Sequence, residues 1–229
     1  MLPMWVPTLQ IGQAVPGDVA LIDERGHMRK WTSFRGDALI VGFIYTSCPD
    51  PTECPAVSAK FAEMQQQLPT HTHLIEITID PSHDSAIVLR RYGQRFDENS
   101  ARWTMLTGDP KNVLTLTQRF GISVTHRPDG AIEHNEAVAV LDRQEELQSL
   151  TAGTSWQPRE VIAEAQAVNG EPSDPLARTA LAFRNFGLTC GALFNAIDAR
   201  WRDLSIAAAA AAILIIAGTS AALLRQLKF

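Results

Sequence analysis

Residues 38–68 read ALIVGFIYTSCPDPTECPAVSAKFAEMQQQL. The opening run, ALIVGFIYT (38–46), is almost continuously apolar and rich in β-formers, the mark of a strand buried on both faces at the centre of a sheet. Pro49 and Pro51 disfavour helix in the residues that precede them, so Cys48 to Asp50 are expected to be extended or turned. Pro55 suits the first helical position, which makes Cys54 the helix cap. From Val57 to Leu68 the apolar residues recur at helical spacing. A buried strand, a turn carrying two thiols and a helix therefore follow one another.

The same pattern continues on both sides of this unit. HLIEITID (73–80) reads as a second strand, and SAIVLRRYGQRF, after the DPSHD turn, as a helix. Trp103 to Thr107 is a short strand, and PKNVLTLTQRFG (110–121) a helix with Pro110 at its start and Gly121 at its stop. EAVAVLD (136–142) and ELQSLTAG (146–153) form a closing hairpin, and Trp156 to Val168 a last helix. Strands alternating with helices, then a hairpin and a terminal helix, predict a three-layer α/β domain over residues 1–168 with a thioredoxin-like order of elements. NGEPSDP (169–175) opens a linker, placed at 169–178.

The 229 residues are 45% apolar and 20% charged, the balance of a folded globular protein. The net charge of −5, with no local Lys/Arg stripe, argues against nucleic acid as a partner. Three cysteines are too few for a disulfide scaffold. The excess apolarity lies at the C-terminus. Leu204 to Leu224, LSIAAAAAAILIIAGTSAALL, carries no charge, and at ~1.5 Å per residue it reaches roughly 31 Å, about the hydrocarbon thickness of a bilayer. A transmembrane helix is expected there. Residues 179–203, with Phe183, Phe186, Cys190, Phe194, Ile197 and Trp201 on one stripe, read as an amphipathic juxtamembrane helix in contact with membrane lipid. Cys190 on that stripe is read as packing. Lys/Arg flank both ends of the span, so the charge rule gives no orientation.

Chemistry concentrates at YTSCPDPTECP (45–55). Cys48 follows the C-terminal end of a central strand, where α/β folds place their sites. Cys54, at a helix N-terminus, is expected to be favoured as thiolate by the helix dipole. Two thiols on one loop suit either disulfide exchange or a soft metal such as Cu(I) or Zn. The metal reading needs a third donor. His27, His71, His73 and His83 fall in polar turns and read as solvated, with His71-Thr-His73 at most a weak metal pair. His126 and His134 frame a PDG turn. His134, in GAIEHNEAVAVLD, stands before an apolar strand with no packing need for imidazole, and such a fold brings that segment beside the thiol loop.

YTSCP…CP, ITIDPSHDS, RWTMLTGD and IEHNEAVAVLD, in that order between about Val6 and Val168, closely resemble the Sco/SenC family. The resemblance implies a membrane-tethered, thioredoxin-fold copper protein that assembles the copper centre of cytochrome c oxidase. It implies Cys48, Cys54 and His134 as ligands of Cu(I), with Cu(II) as a further state. Its partner would be the copper-bearing oxidase subunit or another copper carrier, and the soluble domain would lie on the periplasmic, extracytoplasmic side. Asp80 matches a recurrent family Asp near the site, not a ligand. Two departures stand out. Five residues separate the cysteines where the common motif has three, and the anchor is C-terminal, with neither a basic region nor a long apolar run of an export signal in MLPMWVPTLQIG (1–12), so the native start is expected upstream. The alternative is a thiol–disulfide oxidoreductase cycling Cys48 and Cys54, the one reading that would make this an enzyme. It lacks the close Cys-x-x-Cys spacing of that class and has no use for His134.

Overall fold

A computed structural model describes residues 9–15, 17, 19–128 and 132–169. The amphipathic segment at 179–203, the uncharged run at 204–224 and all but the first residue of the 169–178 linker lie outside the described residues. Among the described residues, no helix is long and apolar enough to cross a membrane.

Strand β3 (Ala38–Ile44) is buried at every position and sits inside the sheet, as its unbroken apolar run demands. It pairs in parallel with β4 (Thr72–Thr78), and β4 pairs in parallel with β5 (Trp103–Thr107). On the other side β3 meets β8 (Ala137–Leu141) antiparallel, and β9 (Leu147–Ala152) closes the hairpin. Two short strands, β1 (Ala20–Asp23) and β2 (Met28–Lys30), complete the order β2-β1-β5-β4-β3-β8-β9. A separate ribbon joins β6 (Val124–His126) to β7 (Ile132–His134).

Helices cover both faces of the sheet. On one face α1 (Cys54–Gln65) and α4 (Pro158–Asn169) lie together over β3, while α2 (Ala86–Gly93) covers β5 and is bonded to α1 through Ser58 and Tyr92. Phe61 of α1 packs there against Trp103 and Trp156. The other face holds α3 (Pro110–Arg119) and a 3-10 turn (Trp31–Phe34), with Phe120 against Trp31 and Phe43. The three-layer α/β arrangement is the one read from the sequence, with element ends matching or shifted by at most three residues. The strands that the sequence reading missed are short. In β1 the buried positions are Leu21 and Asp23, so a carboxylate breaks the apolar alternation.

Gly42 sets how closely α1 approaches the sheet. A Cβ there would stand 2.8 Å from Phe61 Cζ and 3.5 Å from Val57 Cγ1. Both contacts are in the core, where small-to-large changes cost about 1–3 kcal/mol. Gly42→Ala should lower the urea midpoint accordingly. An unchanged midpoint would mean that α1 moves away without cost.

Candidate functional site

The thiol loop leaves the end of β3 and is fastened there at Thr46. Thr46 N–H and its hydroxyl both donate to the carboxylate of Asp84, N–H at 3.0 Å, and Thr78 Oγ1 donates to the same carboxylate at 2.6 Å. Within the loop, Asp50 Oδ1 accepts from the Thr52 N–H at 2.8 Å and from the Thr52 hydroxyl at 2.6 Å, an Asx turn that folds the extra residues back. Those two bonds hold the exposed Asp50 carboxyl below its ordinary range.

Cys48 is half-buried, with Sγ 3.6 Å from the Asp50 carbonyl oxygen and 3.7 Å from Glu53 Oε2. Cys54 is buried and is the first residue of α1, so Glu53, not Cys54, occupies the cap. Cys54 Sγ accepts the Tyr45 N–H at 3.4 Å and stands 3.9 Å from His134 Nε2. Both cysteines are free thiols. The expectation of a dipole-favoured thiolate at Cys54 is reversed. Burial pushes this thiol up, and the Tyr45 N–H, which favours the anion, only partly opposes it; Cys48 and Glu136 push it further in the same direction. Desolvation wins because Cys54 points into the protein rather than out along the helix axis.

His134 ends β7, on the ribbon paired with β6, and its ring meets Tyr45 edge-on at 5.5 Å. Its Nδ1 lies 3.1 Å from the Asn135 carbonyl oxygen. Nδ1–H donates there, which leaves the Nε2 lone pair directed at Cys54. Burial holds the ring below its ordinary pKa, and therefore neutral. Asn135 in turn accepts the Ser123 N–H at 2.7 Å and donates to the Gly121 carbonyl at 3.1 Å, clamping this segment to the turn after α3. The three residues picked from sequence thus meet at one end of β3. Cys54 touches His134 directly, whereas Cys48 joins through Cys54 and Glu53.

Three contributors escaped the sequence reading. Glu136 shares a face with His134, as residues two apart in extended chain do, and this alternation was the available signal. Among the described residues, Glu53, His134 and Glu136 each offer one ligand atom, all mutually within 4.8 Å. Burial, with Glu53 and Asp50 adding to it, raises the Glu136 carboxyl to about 7. Asp84 is the second, and its role depends on tertiary contacts alone. Tyr45 is the third; burial and its contact with Cys48 keep its phenol protonated. Asp80 contributes backbone, its carbonyl accepting from His83 and Asp84 N–H. His73 is not a solvated turn residue: it lies on β4, bonded to Thr104 Oγ1 at 2.8 Å, with burial pushing it down to about 4.

A family model described as SCO1/SenC matches residues 8–169, well over half of the sequence and all of the site. The chain belongs to the SCO1/SenC family. Among relatives of this SCO1/SenC chain, the mitochondrial protein SCO2 homolog of Bos taurus is 29% identical over 135 residues, covering 55% of this chain and 49% of the bovine protein. The chain spans about half the length of such relatives. Bradyrhizobium japonicum ScoI, solved with copper bound, superposes with a TM-score of 0.58 at 23% identity, covering 68% of this chain and 100% of ScoI. BsSco, described as having a disulfide switch and as a member of the Sco family of cytochrome c oxidase assembly proteins, gives 0.58 at 17% identity over 72% of this chain and 96% of BsSco. At such identities the likeness establishes the thioredoxin-like Sco fold of this SCO1/SenC chain.

Proposed function

We propose that this protein is a copper metallochaperone. Cys48 and Cys54 as thiolates and Nε2 of His134 take Cu(I) as cargo, and ligand exchange passes it to the copper-bearing subunit of cytochrome c oxidase or to another copper carrier. The observation that carries this reading is the contact between Cys54 Sγ and His134 Nε2, 3.9 Å apart with the opposite ring nitrogen tied to the Asn135 carbonyl. Dithiol exchange needs no imidazole, whereas a soft three-coordinate cation needs one more donor than the thiols provide. The copper in the ScoI structure and the oxidase-assembly description of BsSco support it.

Burial holds Cys54 as a neutral thiol and His134 as a neutral imidazole. Cu(I) must displace the Cys54 proton, so its affinity falls with acidity, and release is favoured by a partner ligand whose own proton passes back to Cys54 as the metal leaves. The uncharged segment at 204–224 would tether the domain on the extracytoplasmic side and raise its local concentration at a membrane-bound recipient.

Titrating Cu(I) into the reduced full chain in detergent, against a competing chelator, tests the reading. One tight equivalent is expected, weakened about 100-fold or more in His134→Ala and abolished in Cys48→Ser/Cys54→Ser. Indifference to His134 would overturn it and leave thiol–disulfide exchange, with Cys48 as the more accessible attacking thiol. The buried, protonated Cys54 is a poor nucleophile for that chemistry.

A further inference from the structure

Building on the metallochaperone reading, we propose that Glu76, a carboxyl buried beneath α1 and outside the donor set, sets how readily Cys54 takes Cu(I): the neutral acid permits loading and the ionised acid opposes it.

Helical spacing makes the connection. Cys54 and Ser58 are four residues apart on α1, so they lie one above the other on a single face, and neither has exposed surface. Ser58 Oγ donates to Glu76 Oε1 at 2.9 Å and lies 3.0 Å from the Tyr92 hydroxyl. Ser58 has one hydroxyl proton and gives it to Glu76, so the Tyr92 O–H donates to Ser58 Oγ. Tyr92 feels both ends of this file. Burial pushes its phenol up, and the charges of Glu76 and Cys54 add to that push. Cys54, Ser58, Tyr92 and Glu76 are each at most 3% exposed, so the path between thiol and carboxyl is dry.

Nothing around Glu76 answers a negative charge with a positive one. Its Oε2 is cut off from solvent and has no hydrogen-bond partner among the described residues. Facing the carboxyl are Ser58 from α1, Tyr92 from α2, Trp103 from β5 and, from the segment before β5, a second acid, Glu98. On β3 the opposite residue is Gly42, which offers no side chain. An ionised Glu76 therefore has hydrogen bonds but no cation, and its field extends toward Cys54.

Loading brings a charge that meets this field. Two S–H bonds break, two S–Cu bonds form and both protons leave to solvent, so two thiolates, one Cu(I) and a neutral imidazole carry one net negative charge. One helical turn, about 5.4 Å, and the 2.9 Å hydrogen bond put the carboxyl on the order of 10 Å from the thiol. At that distance in a protein interior, the two negative charges disfavour each other about tenfold. By linkage, ionisation of Glu76 lowers the copper affinity by the same factor that copper lowers the ionisation of Glu76.

Cu(I) titrations of the reduced full chain in detergent, wild type against Glu76→Gln, test this between about pH 6.5 and about pH 9 with a competing chelator. At the lower end Glu76 is neutral and Gln is its isostere, so equal affinities are expected. The variant should then gain on the wild type, to about fivefold at the upper end. In a Ser58→Ala background, which lacks the hydrogen bond that favours the Glu76 ion, the divergence should move to higher pH. Carbon-13 NMR of labelled glutamate, with Glu76→Gln assigning the resonance, should place the Glu76 midpoint about one pH unit higher in the loaded chain than in the copper-free chain. A role confined to packing moves none of these. Affinities that stay parallel within about twofold, a divergence that Ser58→Ala leaves in place, or a midpoint that copper does not move overturns the proposal. Absence of Cu(I) binding at the lower pH would sink the chaperone reading and this one with it. Tight binding there with parallel profiles would leave the chaperone reading standing and remove Glu76 alone.

Discussion

Asp84→Ala is expected to destabilise the domain by about 3–4 kcal/mol, lowering Tm by about 10 °C, and to weaken Cu(I) binding about tenfold at temperatures where the variant stays folded. Asp84 is completely buried and is reached by the Thr46 N–H, the Thr46 and Thr78 hydroxyls and His83 Nδ1. Hydrogen bonds to a charged acceptor are worth about 1.5–3 kcal/mol each, and they do not add fully because they share one carboxylate. Alanine also leaves the buried Thr78 hydroxyl without its acceptor. The effect on copper follows from position: Thr46 is two residues before Cys48, and the Cys48 N–H is bonded to the Tyr45 carbonyl at 3.3 Å. Freeing Thr46 frees the whole turn. Asp84→Asn keeps the shape and one acceptor oxygen, and should recover about half of the lost stability. Differential scanning calorimetry alongside the Cu(I) titration checks both effects. A stability loss with unchanged copper affinity would make Asp84 a purely structural anchor.

The contrast between Asp80 and Asp84 shows what the sequence could reveal. Local chemistry was legible: an unbroken apolar run marked β3, prolines marked the turn, and the thiols with His134 stood out because each lacked a packing reason. The spatial partners were not. Asp84 and Asp80 share one turn and one residue type, and only the fold decides that Asp84 reaches back to Thr46 while Asp80 offers its carbonyl. The same limit explains Cys54. Its place at a helix start is written in Pro55, but whether the dipole or burial governs its proton depends on which way the thiol points. His73 and the short strands were hidden for a related reason, since half-buried polar residues on a strand look like turn residues when read singly.

Glu76→Gln should stabilise the protein, by a margin that widens with pH. Glu76 lies at the middle of β4, opposite Gly42 of β3 and Met105 of β5, with no exposed surface. Ser58 Oγ donates to its Oε1 at 2.9 Å and stands 3.0 Å from the Tyr92 hydroxyl, while Oε2 has no hydrogen-bond partner among the described residues. Burial raises this carboxyl to about 8, with Glu98 adding to the shift and Ser58 and Trp103 opposing it. Glu98 is itself raised to about 7, and Tyr92 is also pushed up. Between the unfolded value of 4.5 and about 8, the folded chain therefore keeps a proton that the unfolded chain has lost. Stability must fall with rising pH across that window, by about 1.4 kcal/mol per unit at most. In the wild type His73 runs the other way: its folded pKa is depressed to about 4, so its contribution is present above 6.5 and is lost as pH falls toward 4. Below pH 6.5 His73 offsets only one of the raised carboxyls, so Glu98 and Glu136 keep the wild-type curve falling there, and above pH 6.5 that offset ends. Gln removes the Glu76 part together with its coupling to Glu98 and Tyr92, and subtracting wild type from variant cancels His73, which is not coupled to Glu76. The difference should grow from near zero at pH 4.5 to about 3–5 kcal/mol at pH 8 and then level off. Urea unfolding of both proteins across this range measures it. A difference that does not change with pH would mean that Glu76 is ionised in the fold, which would require a cation or water at Oε2 to hold the charge.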